Sequence, residues 1–442
     1  MAEPPPEPGR APPESPRDAR PRLLAVAMTE EDREDLARLP DYESYEFVPL
    51  GGYDEATYPE KCDARRFVAE SVRFVRAQER RADGIIGFDD YPPSLLVPAV
   101  GRALGLAVPS LDAVFRCEHK LWSRVEQRRV VPDSVPRFAA FDSRDSASLP
   151  DGFAFPFWLK PVKSFLSYLS FRIGSGAELE RALNATRGAL PGFIDPFNAL
   201  LADVRGPDGH EHVDGNYLLA EELMSGRQCT LEGYVRQGEV RTLGIVDSVR
   251  FPNRVSFKRF DYPSALPARV QGSMHDVARR VMERIGFGHG LFNIEFFWDP
   301  RRGAPTIIEI NSRFCPQFSD LFEKVDGVST HKILVDLALG RAPDHVPGGG
   351  TYRMAASFVQ RTFRDRLVRR VPGPADRARV REAVPDAVVK VRATEGQRLS
   401  DWPQDSYSYR YGLINLGGTS ASELEAKFER ANRLLPFELV EP

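Results

Sequence analysis

The stretch FNIEFFWDPRRGAPTIIEINSRF, residues 292–314, decides how this chain folds. Two apolar segments flank a turn, DPRRGAP (299–305), and this pattern predicts a β-hairpin. Side chains alternate along a strand, so Glu309, Asn311 and Arg313 are expected on one face, and Ile308 and Ile310 on the other. An otherwise hydrophobic strand therefore carries an acid, an amide and a guanidinium in single file.

The two strands of this hairpin are expected to place like charges opposite each other. If they pair symmetrically about Arg302, Glu295 lies opposite Glu309 and Asn293 lies opposite Asn311. Directly opposed side chains have Cβ atoms ~4.5–5.5 Å apart, and like charges placed in this way destabilise a sheet. A cation between the carboxylates would remove the repulsion, and oxygen ligands of this kind suit Mg²⁺. We therefore predict a metal site formed by Glu295, Glu309 and Asn311.

The competing interpretation is a sheet face exposed to water, which is the usual place for polar alternation on a strand. Two observations favour the metal site. The face lacks the mixture of Lys and Thr that an ordinary exposed face carries, and Arg313 adds a guanidinium fork that matches phosphate. The prediction depends on the register, because a shift of one residue would separate the two acids.

Composition excludes several classes of protein. The chain has 442 residues, of which 42% are hydrophobic and 28% charged, as expected for a globular protein of two to four domains. A net charge of −3 argues against broad binding to nucleic-acid backbones. No apolar run approaches the ~20 residues that span a bilayer, and the N-terminus lacks a signal-peptide core. Four cysteines without CxxC spacing predict neither zinc nor disulfides, and a cytoplasmic location is expected: Cys62, Cys117, Cys229 and Cys315.

The alternation of strands and helices predicts an α/β chain in four parts. Residues 1–21 are Pro-rich and charged and are expected to be a disordered tail. An N-terminal α/β domain with three strands follows at 22–110. Residues 111–345 contain the hairpin, and residues 346–442 form an α+β subdomain.

Three segments of the central part carry specific secondary-structure predictions. Residues 110–130 have an apolar stripe that predicts one amphipathic helix. Residues 166–173, LSYLSFRI, are predicted as a strand, and residues 250–267 as a long loop rich in Arg, Phe and Pro.

Lysine is rare in this chain, with nine lysines against fifty-one arginines. Codon usage in a GC-rich genome explains the ratio but not the positions. Lys160 ends the apolar run FPFWLKPV, which directs its ammonium group into a cleft, and the backbone N–H groups of the following turn can cradle phosphate oxygens. The alternative is an ordinary hairpin with a lysine that extends to solvent. Lys120, taken alone, is an unremarkable surface lysine.

Other short motifs are weaker or absent. The segment AEELM, residues 220–224, places two acids at the end of a strand, where contact with solvent is the simpler interpretation. The sequence contains no GxxxxGK[ST] loop, no HExxH and no GxSxG, which excludes a P-loop and argues against these hydrolase sites.

Taken in order, these segments resemble the ATP-grasp superfamily, and within it the carboxylate–amine ligase branch with a biotin-carboxylase-like architecture. The matching segments are CEHK with Lys120, FWLKPVKSFLS with Lys160, LLAEELMSG, FNIEFFWD and IIEINSRF. The resemblance covers residues 90–440. It implies an α/β ATP-grasp fold with an N-terminal Rossmann-like domain and a C-terminal α+β subdomain.

The resemblance also implies roles for the matching residues. Those that would contact ATP are Lys120, Lys160, Ser164, Ser167, Glu221, Glu222, Leu223 and Gln228. Lys160 would lie near the α-phosphate, and Arg313 would steady an acyl-phosphate. Glu295, Glu309 and Asn311 would hold Mg²⁺, with Mn²⁺ as an alternative.

The chain departs from the family pattern at several places. His119 replaces the Asp that usually precedes the first lysine, and the phosphate loop at 163–167 has no glycine. Gln228 occupies a position that is often acidic, and FCPQFSD after Arg313 lacks the usual glycines. These departures bear on the activity and on the shape of the substrate pocket.

The implied reaction is phosphorylation of a carboxylate by ATP, followed by attack of an amine that gives an amide, ADP and phosphate. The expected partners are small-molecule carboxylates and amines, with neither nucleic acid nor membrane, and homodimers are common in similar proteins. Three alternatives stay open: a ligase that uses bicarbonate or a thiol as acceptor, a nucleotide-binding regulatory protein without turnover, and a structural α/β protein.

Overall fold

The computed structural model describes residues 20–144, 149, 152–253, 255–402, 404 and 408–442. Apart from its last two residues, the expected tail at 1–21 lies outside this part. Among the described helices, none combines the length and the apolar character that a membrane span requires.

The N-terminal part is a parallel α/β unit. Its helices and strands are β1 (Arg22–Val26), α1 (Glu30–Leu36), β2 (Glu46–Leu50), α2 (Tyr53–Thr57), α3 (Ala64–Arg76), β3 (Gly84–Gly87) and α4 (Pro93–Leu104). The strands pair in parallel in the order β2–β1–β3, as the alternation of elements predicts. The carboxyl ends of β1 and β3 therefore lie side by side, and Asp89 and Asp90 follow β3 at that edge.

The central part begins with two helices and a small antiparallel sheet. Its first elements are α5 (Leu111–Glu118), α6 (Lys120–Val130), β4 (Phe138–Asp142), β5 (Phe157–Pro161), β6 (Phe171–Ile173), α7 (Gly176–Leu201) and β7 (Tyr217–Glu222). The strand order is β4–β7–β5–β6. This sheet carries Lys160 on β5 and Glu221 on the neighbouring β7.

The remaining elements build a larger sheet and the helices that cover it. They are β8 (Arg227–Arg236), β9 (Glu239–Arg250), β10 (Phe257–Tyr262), α8 (Ala268–Ile285), β11 (Gly290–Trp298), β12 (Thr306–Asn311), α9 (Pro316–Asp326), α10 (Thr330–Ala338), β13 (Met354–Thr362), β14 (Leu367–Arg370), α11 (Pro374–Ala383), β15 (Val388–Val391), β16 (Tyr409–Gly418), α12 (Ala421–Arg433) and β17 (Glu438–Val440).

One sheet connects the central and C-terminal parts of the chain. Within the described residues its order is β12–β11–β8–β9–β10–β13–β16–β15, and β14 pairs separately with β17. Strand β10 pairs antiparallel with β9 on one side and with β13 on the other. The sheet thus continues across residue 346, and the division of the chain into domains there stays a prediction.

The prediction of a single helix at 110–130 is wrong, because the helix is interrupted at His119. His119 has an extended backbone, with φ −76° and ψ 98°, so α5 ends before it and α6 begins after it. Its Nδ1 accepts a hydrogen bond from the backbone N–H of Trp122 at 3.4 Å, which caps α6. The imidazole also stacks on the Trp122 ring at 4.6 Å. His119 is therefore a capping residue at the entrance of the helix that carries Lys120.

Two further element predictions are wrong. Most of the strand expected at 166–173 is a loop, because Leu166, Ser167 and Leu169 adopt positive φ values of 48°, 58° and 51°, which a strand does not accommodate. The loop expected at 250–267 contains β10, whose backbone is paired on both sides. Pairing with distant strands, which local composition does not record, makes this segment a central strand.

The hairpin β11–β12 is anchored by its apolar face. Phe292, Ile294, Phe296, Ile307 and Ile310 are at most 2% exposed and share one core with helix α8. Each buried side chain of this size contributes about 1.5–3 kcal/mol relative to an exposed one. A register shift of one residue would turn this set to the other face of the sheet. The core therefore fixes the register on which the candidate site depends.

Candidate active site

The β11–β12 register places two carboxylates face to face. Glu295 pairs with Glu309 and Asn293 pairs with Asn311, as the symmetric hairpin predicts. Asn311 donates through Nδ2 to Asn293 Oδ1 at 2.9 Å, and Asn293 donates to the backbone carbonyl of Arg313 at 3.3 Å. Hydrogen bonds thus connect the two asparagines and Arg313 into one group beside the acid pair.

A β-bulge follows the acid pair, so the expected alternation of buried and exposed side chains along β12 is wrong at this point. Phe296 pairs with Ile307, so Ile308 has no partner on β11. Ile307 and Ile310 are the buried isoleucines, whereas Ile308 is half-buried. The carbonyl of Ile308 accepts a hydrogen bond from Arg124 Nη2 at 2.6 Å. The bulged strand is thereby attached to helix α6, which also carries Lys120.

The charge of the acid pair is only partly balanced by neighbouring residues. Burial and the nearby Glu309 raise the pKa of Glu295 to about 7. Gln228 donates through Nε2 to Glu295 Oε2 at 2.8 Å, and Arg250 in turn donates to the amide oxygen of Gln228. The Nζ of Lys120 lies 3.5 Å from Glu309 Oε2. A divalent cation would relieve the remaining repulsion.

The residues present fit Mg²⁺ in number and type. Two carboxylates and the amide oxygen of Asn311 are hard oxygen ligands, and Mg²⁺ usually completes its shell with water and phosphate. The described part of the chain contains no group of three or more His, Cys, Asp or Glu side chains that could hold a metal ion. A cation here would therefore depend on the amide as well as the acids.

Arg313 is oriented by an acid from the N-terminal unit. Its Nε and Nη2 donate to Asp90 Oδ2 at 3.0 and 2.5 Å. Burial alone would raise the pKa of Asp90, but Arg313 and Lys163 outweigh burial and hold this pKa well below its usual range. The pair connects the edge of the N-terminal sheet to the end of β12. Sequence reasoning missed Asp90, although two acids directly after β3 are a signal at the edge of a parallel sheet.

Three lysines converge from helix α6, strand β5 and the loop after β5. Burial lowers the pKa of Lys120 to about 8, with Lys160 and Lys163 acting in the same direction and Glu309 opposing them. Lys120 Nζ donates to the carbonyl of Ser164 at 2.8 Å. A cluster of three ammonium groups suits the negative charge of a polyphosphate.

Glu221 is enclosed between two cations. Its side chain is 0% exposed and lies 2.7 Å from Lys160 Nζ and 2.6 Å from Arg124 Nε. Burial would raise the pKa of Glu221, but Arg124 and Lys160 together lower it to about 2. Its carboxylate therefore orients Lys160, and an adenine contact from this residue would use its backbone.

The two residues after Glu221 lie at the edge of the site. Glu222 pairs with Arg302 of the hairpin turn at 2.8 Å, and Leu223 is 36% exposed. A Cβ at Gly226 would lie 2.4 Å from the carbonyl oxygen of Trp298. This close approach, together with a φ of 126°, requires glycine and brings the segment against the end of β11.

The glycine-free loop adopts the backbone conformations that glycine usually provides. Leu166, Ser167 and Leu169 all have positive φ, and Phe165 and Tyr168 stack on Phe193 of α7 with ring centroids 5.6 and 4.7 Å apart. Ser164 is 6% exposed. Aromatic packing therefore holds in place a loop that glycine would leave flexible.

Two buried acids and one lysine were missed by sequence reasoning. Glu118 accepts from Lys163 Nζ at 2.6 Å and from the hydroxyls of Ser94 and Ser312 at 3.0 and 2.5 Å. The scarcity of lysine is the signal that marks Lys163. Glu118 lies inside the helix predicted at 110–130 and carries no signal of its own.

Glu232 lies opposite Asn293 on the neighbouring strand β8 and is 0% exposed. No side chain among the described residues hydrogen bonds with its carboxyl group. Burial raises the pKa of Glu232 to about 8, and Arg313 offsets this effect only in part. The floor of the site therefore contains a third carboxyl group, which stays mostly protonated at neutral pH.

Comparisons with known proteins bear on the fold of the chain. No protein family model matches the chain. The chain is 29% identical over 146 residues to the carbamoyl phosphate synthase large chain of Thermus thermophilus, which covers 32% of this chain and only 14% of that relative.

Two solved structures cover nearly the whole chain. An L-amino acid ligase from Bacillus licheniformis superposes with a TM-score of 0.72 at 17% identity, covering 96% of this chain and 100% of the ligase. The biotin carboxylase domain dimer of the Hydrogenobacter thermophilus 2-oxoglutarate carboxylase, solved with MgADP and bicarbonate, gives a TM-score of 0.65 at 14% identity, with coverages of 95% and 91%. Both are ATP-grasp enzymes, and the predicted ATP-grasp fold is confirmed.

Proposed function

Because the chain has the fold of the ATP-grasp superfamily, we propose that it is an ATP-dependent carboxylate–amine ligase. The observation that carries the proposal is the opposed pair Glu295 and Glu309, with Asn311 and Arg313 on the same strand segment and Lys120 at 3.5 Å from Glu309. A structural α/β protein would have no reason to keep two acids opposed in a hydrophobic hairpin. Phosphoryl transfer needs such a set of charges.

The nucleotide would lie between the two sheets of the central part. Lys120 and Lys160 bind its phosphates, and the loop at 163–167 covers them with backbone N–H groups, Ser164 and Ser167. The segment of Glu221, Glu222 and Leu223 flanks the adenine, and Gln228 lies near the ribose. Bound Mg²⁺, held by Glu295, Glu309 and Asn311, would neutralise charge on the transferring phosphoryl group. Mn²⁺ offers the same chemistry to these ligands.

The chain's own residues position the reactants and do not form a covalent intermediate. Burial raises the pKa of the Cys315 thiol to about 12, so this cysteine beside Arg313 stays protonated and is a poor nucleophile. Arg313, held by Asp90, stabilises the anionic oxygens of an acyl-phosphate. Lys160, held by Glu221, neutralises charge on the leaving nucleotide. Charge stabilisation and positioning account for this type of transfer.

A small cavity beside Arg313 supports a substrate with an apolar part. It measures about 80 Å³, and apolar residues of α4, of the segment 107–109 and of α10, together with Phe287, form much of its wall. Asp89 and Arg313 are the charged groups of this wall, and burial together with Asp32 raises the pKa of Asp89 to about 7. A carboxyl group with this pKa suits the proton that an attacking ammonium must release. We assign this cavity to the amino-acid substrates.

The departures from the family pattern do not favour a regulatory protein without turnover. His119 caps α6 and leaves Lys120 in place, as an Asp at this position would. The loop at 163–167 takes the required backbone conformation without glycine. Small carboxylates and amines are therefore the proposed substrates, not nucleic acid or membrane. The four described cysteines are free, which fits a cytoplasmic enzyme, and a homodimer like that of the biotin carboxylase neighbour is proposed.

The direct test is to incubate the protein with ATP, Mg²⁺ and pooled amino acids, and to measure ADP, phosphate and new amide masses. Release of ADP that requires both Mg²⁺ and an added amino acid, together with a new amide, would support the ligase. Bicarbonate-dependent release without an amide would favour the alternative acceptor. ATP binding without release in any pool would contradict both.

A further inference from the structure

A second cavity lies where three distant parts of the chain meet. It measures about 280 Å³ and is bounded by the end of α1, by α9 and α10, and by β15 and β16. None of the residues assigned above to ATP, Mg²⁺ or the acyl-phosphate forms part of its wall. Helix α9 presents Ser319, Asp320 and Glu323 to this cavity. The cavity is therefore separate from the phosphoryl-transfer site.

Three buried polar atoms of its wall have no hydrogen-bond partner within the described part of the chain. One of them, Asp320 Oδ2, still has an ion-pair partner in Lys324 at 3.0 Å, and the other two belong to Asn415 and His331. Asn415 is 1% exposed and its Oδ1 is unpaired; His331 is 4% exposed and its Nε2 is unpaired. The other imidazole nitrogen of His331 is hydrogen bonded with the Ser319 hydroxyl at 2.7 Å. Burial lowers the pKa of His331 to about 3, so the ring is neutral. Buried polar atoms of this kind are normally paired, and an unpaired one needs an explanation.

The charges around the cavity are unequal. Its described wall has five carboxylates and three basic side chains. Each basic side chain forms ion pairs with two acids. Lys390 pairs with Glu31 and Asp35 at 3.1 and 2.5 Å, and Arg38 pairs with Asp320 and Glu323 at 2.6 and 3.0 Å. Lys332 pairs with Asp41 and Asp336.

Partners just outside the wall do not change this excess. Glu31 and Asp41 add two acids. Lys324, which lies 3.0 Å from Asp320, and Arg392, which lies 2.7 Å from Glu31, add two bases. Asp344 also belongs to the wall and is exposed. A ligand that brings positive charge would balance the cavity.

From this excess of acid around an unpaired buried amide oxygen, we propose that the cavity binds a small molecule that carries a primary ammonium group. The ammonium donates hydrogen bonds to Asn415 Oδ1 and to the carboxylates of the wall, as a charge-assisted donor does. The volume accommodates an amino acid or a short diamine. The excess of carboxylates in the wall would repel a phosphate or a simple carboxylate, so charge excludes both as ligands.

Occupation of this cavity would tighten the contact between the N-terminal and C-terminal parts. Lys390 of β15 already pairs with Asp35 of α1 across this junction. A ligand that binds only the folded state raises the melting temperature in proportion to the logarithm of its concentration. Binding should therefore be visible in the full chain without ATP or metal, independently of the proposed ligase activity.

The test is titration calorimetry of the full chain, in buffer free of ATP and metal, with 1,4-diaminobutane as probe and 1,4-butanediol as its uncharged counterpart. The diamine should bind and the diol should not. Asn415→Leu should weaken the diamine by about tenfold or more, because the buried acceptor is lost. The double variant Glu323→Gln/Asp344→Asn changes exposed or half-buried acids, should fold normally, and should also weaken binding.

Glu309→Gln serves as the matched control, because it removes a residue of the proposed ligase site and should leave diamine binding unchanged. Loss of turnover with intact diamine binding would thus separate the two proposals. Absence of diamine binding, equal binding of the diol, or wild-type affinity in the double variant would overturn the proposed ammonium site, and a folded Asn415→Leu protein with unchanged affinity would do the same.

Discussion

Glu295 and Glu309 lie directly opposite each other on β11 and β12, and burial with this proximity raises the pKa of Glu295 to about 7. Opposed acids in a hydrophobic hairpin destabilise the folded chain unless a cation joins them. The chain nevertheless has both acids at these positions, and Asn311, Arg313 and Lys120 lie around the pair. The same repulsion that weakens the metal-free fold would favour the binding of Mg²⁺ at the proposed site.

Replacement of one acid should therefore separate stability from turnover. We expect Glu309→Gln to lower ADP release at least ~100-fold, because the metal would lose one charged ligand and the transferring phosphoryl group would be less well stabilised. In metal-free buffer its melting temperature should equal or exceed that of the wild type, because the repulsion is gone. Glu239→Gln, an exposed acid at the β8–β9 turn, is the control and should change neither quantity. A Glu309→Gln protein with full turnover would refute the assigned ligand.

The buried Glu232 should make stability depend on pH. A folded-state pKa of about 8 lies above the unfolded value of about 4.3, so the folded state holds the proton more tightly. This contribution to stability is complete below the unfolded pKa and is lost as pH rises through about 8. Glu232→Gln cannot ionise, so its unfolding free energy should exceed that of the wild type at pH 9 and should fall less between pH 5 and 9. Denaturant unfolding of both proteins at several pH values would measure this, and parallel pH curves would contradict it.

Asp90 should act through the orientation of Arg313. Asp90→Asn keeps the shape of the side chain but removes the charge that holds the guanidinium at 2.5 Å. We expect kcat to fall by about 10–100-fold with little change in KM for ATP, because the proposed role of Arg313 is to stabilise the acyl-phosphate and not to bind the nucleotide. Asp54→Asn, in an exposed pair with Lys61, is the control. A change confined to KM for ATP would show that Asp90 serves the nucleotide instead.

Aromatic packing should replace glycine in the phosphate loop. Tyr168→Ser removes one of the two rings that stack on Phe193, and the loop at 163–170 should then exchange its amide hydrogens faster. KM for ATP should rise several-fold, while the melting temperature changes little, since Tyr168 is only partly buried. Hydrogen exchange read by mass spectrometry tests the first point and steady-state kinetics the second. Unchanged exchange in this loop would show that stacking does not hold it.

The sequence predicted those features that local pattern determines. The opposed acids followed from the two-residue period of β11 and β12 around a short turn, and the buried Phe and Ile residues of the same strands enforce this register. Lys160 stood out because lysine is rare in this chain and this one ends an apolar strand, whereas Lys120 was marked only by the family resemblance. In each case, a physical constraint lies within a few residues of the group that it positions.

The features that escaped prediction come from contacts between distant residues. Arg313 and Asp90 are 223 residues apart, and Arg124 lies 184 residues from Ile308. The local periodicity of hydrophobic residues gives no indication of such a pair. The break at His119 and the strand β10 escaped for a related reason: capping by an imidazole and pairing on both sides of a strand depend on partners that the segment itself does not show. Single-chain patterns therefore located the acids of the site but not the groups that orient its arginine.

The central claim is that ATP activates a carboxylate as an acyl-phosphate, and oxygen transfer tests it most directly. The protein is incubated with ATP, Mg²⁺ and pooled amino acids whose carboxylates carry ¹⁸O, and the released phosphate is analysed by mass spectrometry. The ligase account predicts phosphate that contains one ¹⁸O atom from the substrate, and no such phosphate from Glu309→Gln. Release of ADP with phosphate that contains no ¹⁸O would mean that water or dissolved bicarbonate, not the carboxylate of an amino acid, accepts the phosphoryl group, and would contradict the account.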